Sequence, residues 1–208
     1  MVIPSMAATK KRRLGSARPS LGAAAWVDAA VGALVRGGLG AVAIEPLAAS
    51  LGVTKGSFYW HFEDRAGLVR ALLERWESEG TLGVITRLDA VADPAARLRK
   101  LFAVSLDDVT HLRAEASLSA AATAGDAVVA PVVQRVMRRR LAYLTSLYEA
   151  LGVEPDEAAR MGLVAYGAYL GGVQLAAHGL LGAPLAKQIE TMQRMLVPKM
   201  PRVGRRRS

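Results

Sequence analysis

The chain has 208 residues, 52% of them hydrophobic, and no cysteine. That length suffices for one full core or for a small domain joined to a larger one, and the missing thiols exclude disulfides, thiolate zinc sites and cysteine nucleophiles, so a reducing cytoplasm is the expected setting. The formal charge of +9 sits at the ends: Lys10, Lys11, Arg12, Arg13 and Arg18 in residues 1–20, Lys199, Arg202, Arg205, Arg206 and Arg207 in residues 198–208, which leaves −1 for the body.

Both ends are punctuated by Pro and Ser and lack apolar periodicity, so they are expected to form a disordered basic arm (1–20) and tail (198–208) that meet polyanions. No apolar stretch follows the Lys10–Arg13 run, so the start is not built like a secretory signal. Between the ends, Ala and Leu dominate and β-branched alternation is scarce, which predicts an all-α fold.

The first predicted helix covers 23–37, where Trp26, Ala30, Ala33 and Leu34 recur at three and four residues and Gly37-Gly38 stops the run. A short helix follows from Pro46 to Leu51, ended by Gly52, and Thr54 is expected to cap a third, in which Phe58 and Phe62 share a face. Asp64 opens a fourth, with Leu68, Leu72 and Trp76 at four-residue steps, expected to end before Gly83. Asp93-Pro94 begins a helix reaching about His111, and an Ala-rich helix runs from Arg113 to about Ala124. A long helix begun or bent at Pro131 runs to Leu151, and two more cover Asp156 to about Leu181 and Pro184 to about Leu196.

The segment from Ile44 to Phe62 has the layout of a helix-turn-helix: small Ala48 where two helices cross, Gly52 for a left-handed turn, Val53 beneath the turn and Thr54 at the next helix start. That second helix would point its amino-terminal end into a major groove, with Lys55, Ser57, Trp60 and His61 toward DNA. At this point the sequence resembles the TetR family of transcriptional regulators, through Leu51-Gly-Val-Thr-Lys-Gly-Ser-Phe-Tyr-Trp-His-Phe62 followed by Arg65 and Leu68. The resemblance implies a three-helix DNA-binding domain at 21–66 and a larger helical ligand-binding and dimerisation domain at 67–197. It further implies that Thr54, Lys55, Ser57, Tyr59, Trp60 and His61 face the duplex, that Gly56 lets the backbone approach, and that Arg65 contacts phosphate. Tyr59 and His61 are expected to bond phosphates rather than read bases. Arg65 stands where the family commonly has Lys, and Gly67 where it often has Glu, which weakens the first turn of the fourth helix. Residues 21–80 hold five basic against seven acidic residues, so the head alone is −2 and the arm from Lys10 to Arg18 is expected to supply much of the DNA affinity.

From Met161 to Ala186 runs a stretch of 26 residues without a charge. Gln174, His178, six glycines and Pro184 argue against a membrane span, and the run is read as a helix shared between subunits. Tyr166, Gly167, Leu170, Gly171, Gln174, Leu175 and His178 are its expected contacts, Gly172 aids close approach, and Tyr169 adds area. The resemblance agrees, since such dimers join through their last two large helices, and it implies a homodimer on a palindromic double-stranded operator. It also implies a small-molecule effector of unknown identity that releases DNA, with Trp76, Phe102, His111, Met137, Tyr143 and Tyr166 as candidate lining residues. Arg138-Arg139-Arg140 is read as a solvated face. Repression is the family default.

No enzyme motif is present: His61, His111 and His178 lack metal spacing, no Ser-His-Asp pattern or phosphate-binding Gly loop occurs, and no metal site or cofactor is expected. The alternative function is a sequence-nonspecific DNA-coating protein driven by its basic tails, which would protect all DNA alike.

Overall fold

The computed structural model describes residues 22–106, 109–180 and 185–198, so the basic arm and the tail beyond Pro198 lie outside the described residues. What is described is helical, and no strand occurs among those residues. The head consists of α1 (Ala23–Gly37), α2 (Ile44–Ser50) and α3 (Lys55–Phe58), and α4 (Arg65–Glu77) leads out of it. The body adds α5 (Gly83–Asp89), α6 (Pro94–Ser105), α7 (Val109–Thr123), α8 (Val129–Ala150), α9 (Pro155–Ala177) and α10 (Leu185–Leu196).

The turn between α2 and α3 follows from its residues. Gly52 adopts φ +66°, donates to the Ala49 carbonyl at 3.1 Å, and lets Val53 donate back to Ala48 at 3.0 Å, so two carbonyls of the last turn of α2 are satisfied. Thr54 occupies the position before α3, but its side chain makes no cap bond; only its carbonyl accepts, from Ser57 at 3.0 Å. The expected hydroxyl cap is thus replaced by a backbone turn. Asp64 does cap α4, accepting from Gly67 N–H at 2.7 Å, and Asp93 caps α6 through Ala95 and Ala96 with Pro94 in the first turn.

Two expected boundaries move. The fourth helix does not end before Gly83: it continues through one π-helical turn, Ser78–Leu82, into α5. The π turn coincides with Gly80, where an added Cβ would stand 2.9 Å from His111 Cε1, so the turn carries a glycine where another helix comes close. The helix expected to reach His111 ends at Ser105 instead, and His111 lies in the first turn of α7. A run of apolar residues near a junction fits either helix, and periodicity alone does not decide between them.

Two buried clusters hold the molecule together. The first joins Trp26, Leu34, Leu47 and Phe58 of the head to Leu68, Leu72 and Trp76 of α4 and on to Leu118, Val129 and Val133, so head and body share one core across α4. Phe58 is fully buried, edge-on to Trp26 at 5.2 Å and beside Phe62 at 5.4 Å. Burying such rings contributes about 1.5–3 kcal/mol each relative to exposure. The second cluster packs α6, α7, α8 and α9 around Leu98, Phe102, Leu112, Tyr148 and Val173. Among the described residues no helix is long and apolar enough to cross a membrane.

Candidate nucleic-acid interface and interior cavity

The core position of Phe58 dictates what α3 turns outward. Trp60 is 87% exposed and Tyr59 54% exposed, with Thr54, Lys55 and Gly56 exposed on the same stub and Ser57 and His61 half-buried beside them. An indole left in water at that fraction makes no packing contribution to the monomer and is free to meet a partner. Lys55 is held by Glu45 of α2 at 2.8 Å; that bond keeps the carboxyl below, and the ammonium above, their ordinary ranges. Arg65 is placed differently from the other expected contacts. Its guanidinium turns inward, donating to the carbonyls of Val42 at 2.6 Å and Leu39 at 2.7 Å, and pins the segment between α1 and α2 to the start of α4.

Farther from the head, a cavity of about 330 Å³ lies between the π turn, α5, α6, α7, α8, α9 and α10. Of the six lining residues expected from sequence, Phe102, His111, Tyr143 and Tyr166 are on its wall. Trp76 and Met137 are not. Trp76 is packed in the first cluster and its indole N–H donates to Glu115 Oε2 at 3.0 Å, while Met137 fills the seam between the two clusters.

The principal wall residue that sequence reasoning missed is Arg140, which does not share the solvated face expected for the Arg138–Arg140 run. It is nearly buried, bonds Glu115 Oε1 at 2.7 Å and Thr81 Oγ1 at 3.0 Å, and lies over the rings of Trp76 and Tyr169 at 5.2 and 5.8 Å. Burial opposes its charge, yet Glu115 beside it more than compensates, and the guanidinium is held protonated beyond its usual range. A signal existed in the sequence. Arg140 continues the inward register of Val133, Val136 and Leu144, and Glu115 that of Leu112 and Leu118, so each helix carries one charge where the pattern calls for an apolar residue.

Three phenols complete this end. Tyr143 donates to Asp89 at 2.9 Å, and burial, then that bond, pushes its hydroxyl up to about 12. Tyr166 and Tyr169 stack at 5.9 Å between centroids, both raised chiefly by burial. Arg139, with Arg135, instead grips Glu77 at the end of α4, and hydrogen bonding to Arg135 before all else keeps the Glu77 carboxyl below the ordinary 4.5.

The outer face of α9 carries exposed Leu163, Val164, Gly167, Gly171, Gln174, Leu175 and His178, and Cβ atoms built on Gly167 and Gly171 would meet only open space. Leu170 is half-buried at its edge. Tyr166, expected on this face as well as in the cavity, is only 5% exposed and turns inward, as do Tyr169 and Gly172; the helical angle separates them from Gly167 and Gly171.

Comparison with known proteins agrees with this layout. Residues 27–72 match the family described as "Bacterial regulatory proteins, tetR family". The HTH-type transcriptional regulator TtgR of Pseudomonas putida is 34% identical over 76 residues, which is 36% of this chain and 36% of that protein, so the likeness spans little more than a third of the curated relative. Over nearly the whole chain the likeness is one of fold. A transcriptional regulator from Rhodococcus sp. Rha1 superposes with a TM-score of 0.70 at 18% identity, covering 85% of this chain and 96% of that one. A TetR family regulator from Agrobacterium tumefaciens superposes at 0.63 with 22% identity, covering 81% and 96%. The head at 27–72 thus matches the tetR family of bacterial regulatory proteins, and the chain as a whole shares the fold of these solved proteins.

Proposed function

We propose that this protein is a sequence-specific DNA-binding transcriptional regulator, a repressor by family default. In this reading it grips a palindromic operator as a homodimer and leaves it when a small molecule fills the interior cavity. One observation carries the reading: α3 buries Phe58 completely while holding Trp60 and Tyr59 out in water, an arrangement that serves a partner rather than the monomer. The residues assigned to the duplex are Thr54, Lys55, Gly56, Ser57, Tyr59, Trp60 and His61, with Arg65 bracing the head from behind through its carbonyl bonds. Pairing through the outer face of α9 would set two heads about 34–36 Å apart, one turn of DNA, or somewhat more. The cavity adjoins the α4 junction, where Glu77 meets Arg135 and Arg139, so a molecule in it has a mechanical route to the head.

Nuclease footprinting on genomic fragments tests this. Protection of one short palindrome at nanomolar protein is expected. Uniform protection of all fragments, or none, would overturn the reading in favour of a DNA-coating or unrelated role.

A further inference from the structure

The hydroxyl of Tyr166 is buried and makes no hydrogen bond of good geometry among the described residues, the Arg140 guanidinium standing near it, although its side chain lines the cavity. An unmet buried polar group is costly, so native structures seldom leave one without a ligand, water or other use. Burial keeps the phenol protonated, which makes it a donor in want of an acceptor. Its neighbour Arg140 has spare capacity too. Nη1 is taken by Glu115 and Nε by Thr81, while Nη2 makes one long bond, to the Gly80 carbonyl at 3.4 Å.

Charge decides what kind of acceptor fits. Arg140 is already neutralised by Glu115, and the two other charged wall residues, Glu79 and Arg87, are exposed to solvent, Glu79 being paired with Arg75. An anion drawn into the buried part of this space, beside Tyr166 and Arg140, would lose its hydration and find there no uncompensated positive charge to replace it. The remaining wall is apolar: Val84, Ile85, Leu101, Phe102, Leu144 and Met192. The volume lies at the small end of the roughly 300–1,000 Å³ typical of small-molecule sites.

We propose that the cavity receives an uncharged, largely apolar molecule bearing one hydrogen-bond-accepting oxygen, a ketone or a similar carbonyl compound, which accepts from the Tyr166 hydroxyl and the free edge of Arg140. This rests on the effector-controlled reading above and gives that effector a chemical class. The carbonyl displaces the weak Arg140 contact with Gly80, so the ligand acts on the π turn that continues α4.

A matched series tests the assignment: 2-acetylnaphthalene, 2-ethylnaphthalene and 2-naphthoate, titrated by calorimetry into the full chain and into Tyr166→Phe. This substitution deletes only the unpartnered oxygen, so the variant is expected to fold. The ketone is expected to bind the parent about tenfold more tightly than the hydrocarbon or the carboxylate, the scale of one buried hydrogen bond. In Tyr166→Phe that advantage over the hydrocarbon falls below about threefold while hydrocarbon binding is unchanged. The carboxylate binding best, the ketone and hydrocarbon binding alike, no member binding at all, or an advantage that survives in Tyr166→Phe would each overturn the proposal. Operator binding measured with and without the ketone separates the two levels. Selective ketone binding that leaves DNA affinity untouched sinks effector control and keeps the ligand class; intact operator binding with no ketone selectivity does the reverse.

Discussion

Phe58 and Trp60 stand two residues apart on one short stub and have opposite environments, one fully buried and one 87% exposed. Phe58→Ala opens a cavity against Trp26 and Phe62 and is expected to cost about 3–5 kcal/mol in chemical denaturation. Trp60→Ala is expected to leave stability within about 0.5 kcal/mol and to weaken operator binding in a gel-shift titration. The reverse pattern would mean that α3 is a packing element only. Glu77 sets a second residue-scale expectation. Its carboxyl is depressed in the fold, so its pairing with Arg135 and Arg139 contributes stability above about pH 4.5 and loses it as the pH falls through that region. Melting temperature is expected to drop below pH 4.5 in the parent and to drop less in Glu77→Gln, which at pH 7 is destabilised by about 1–2 kcal/mol because both arginines stay partly hydrated. At this scale the sequence was most legible where a residue type matches its local task, as with Gly52, Asp64 and Phe58. It was least legible for Arg140. Three consecutive arginines look alike in one dimension, and only the identity of the facing helix, with Glu115 in its buried register, separates the interior one from the two outside it.

At the scale of the element, most helix ends were readable because capping chemistry is local, and those that moved did so for non-local reasons. The π turn at Ser78–Leu82 lies where His111, distant in sequence, stands so close that a side chain at Gly80 would not fit. The outer face of α9 is the other case. A 26-residue uncharged run announced burial, but not which stripe faces the protomer and which faces out. The structure assigns Tyr166, Tyr169 and Gly172 inward, and leaves Leu163, Val164, Gly167 and Gly171 as an apolar strip with room for close approach. Leu163→Glu combined with Gly171→Glu is expected to convert a dimer to a monomer in sedimentation velocity at micromolar protein, with helicity by circular dichroism unchanged. A dimer that survives this pair of charges would move the interface elsewhere.

For the whole molecule, the shared core across α4 matters most, because a head bonded to the body through Trp76, Leu118 and Val129 cannot tilt without repacking them. The all-helical class and the order of head and body were open to sequence reading, since both follow from periodicity and one strong motif. The cavity was not, as it forms only where six helices and a π turn come together. Charge distribution supplies the prediction at this scale. The head at 21–80 carries −2, so deleting residues 1–18, which removes five positive charges, is expected to weaken operator binding and to reduce the slope of log affinity against log salt. Unchanged affinity and slope would return the task to the head alone.

The three tryptophans happen to sample three separate places: Trp26 sealed in the head, Trp60 bare in the turn just past α3, and Trp76 wedged between a carboxylate and a guanidinium beside the cavity. The protein therefore carries its own optical reporters. With two of the three changed to Phe in turn, the remaining indole's emission reads head integrity, duplex contact or the junction behind the cavity, each without an added dye.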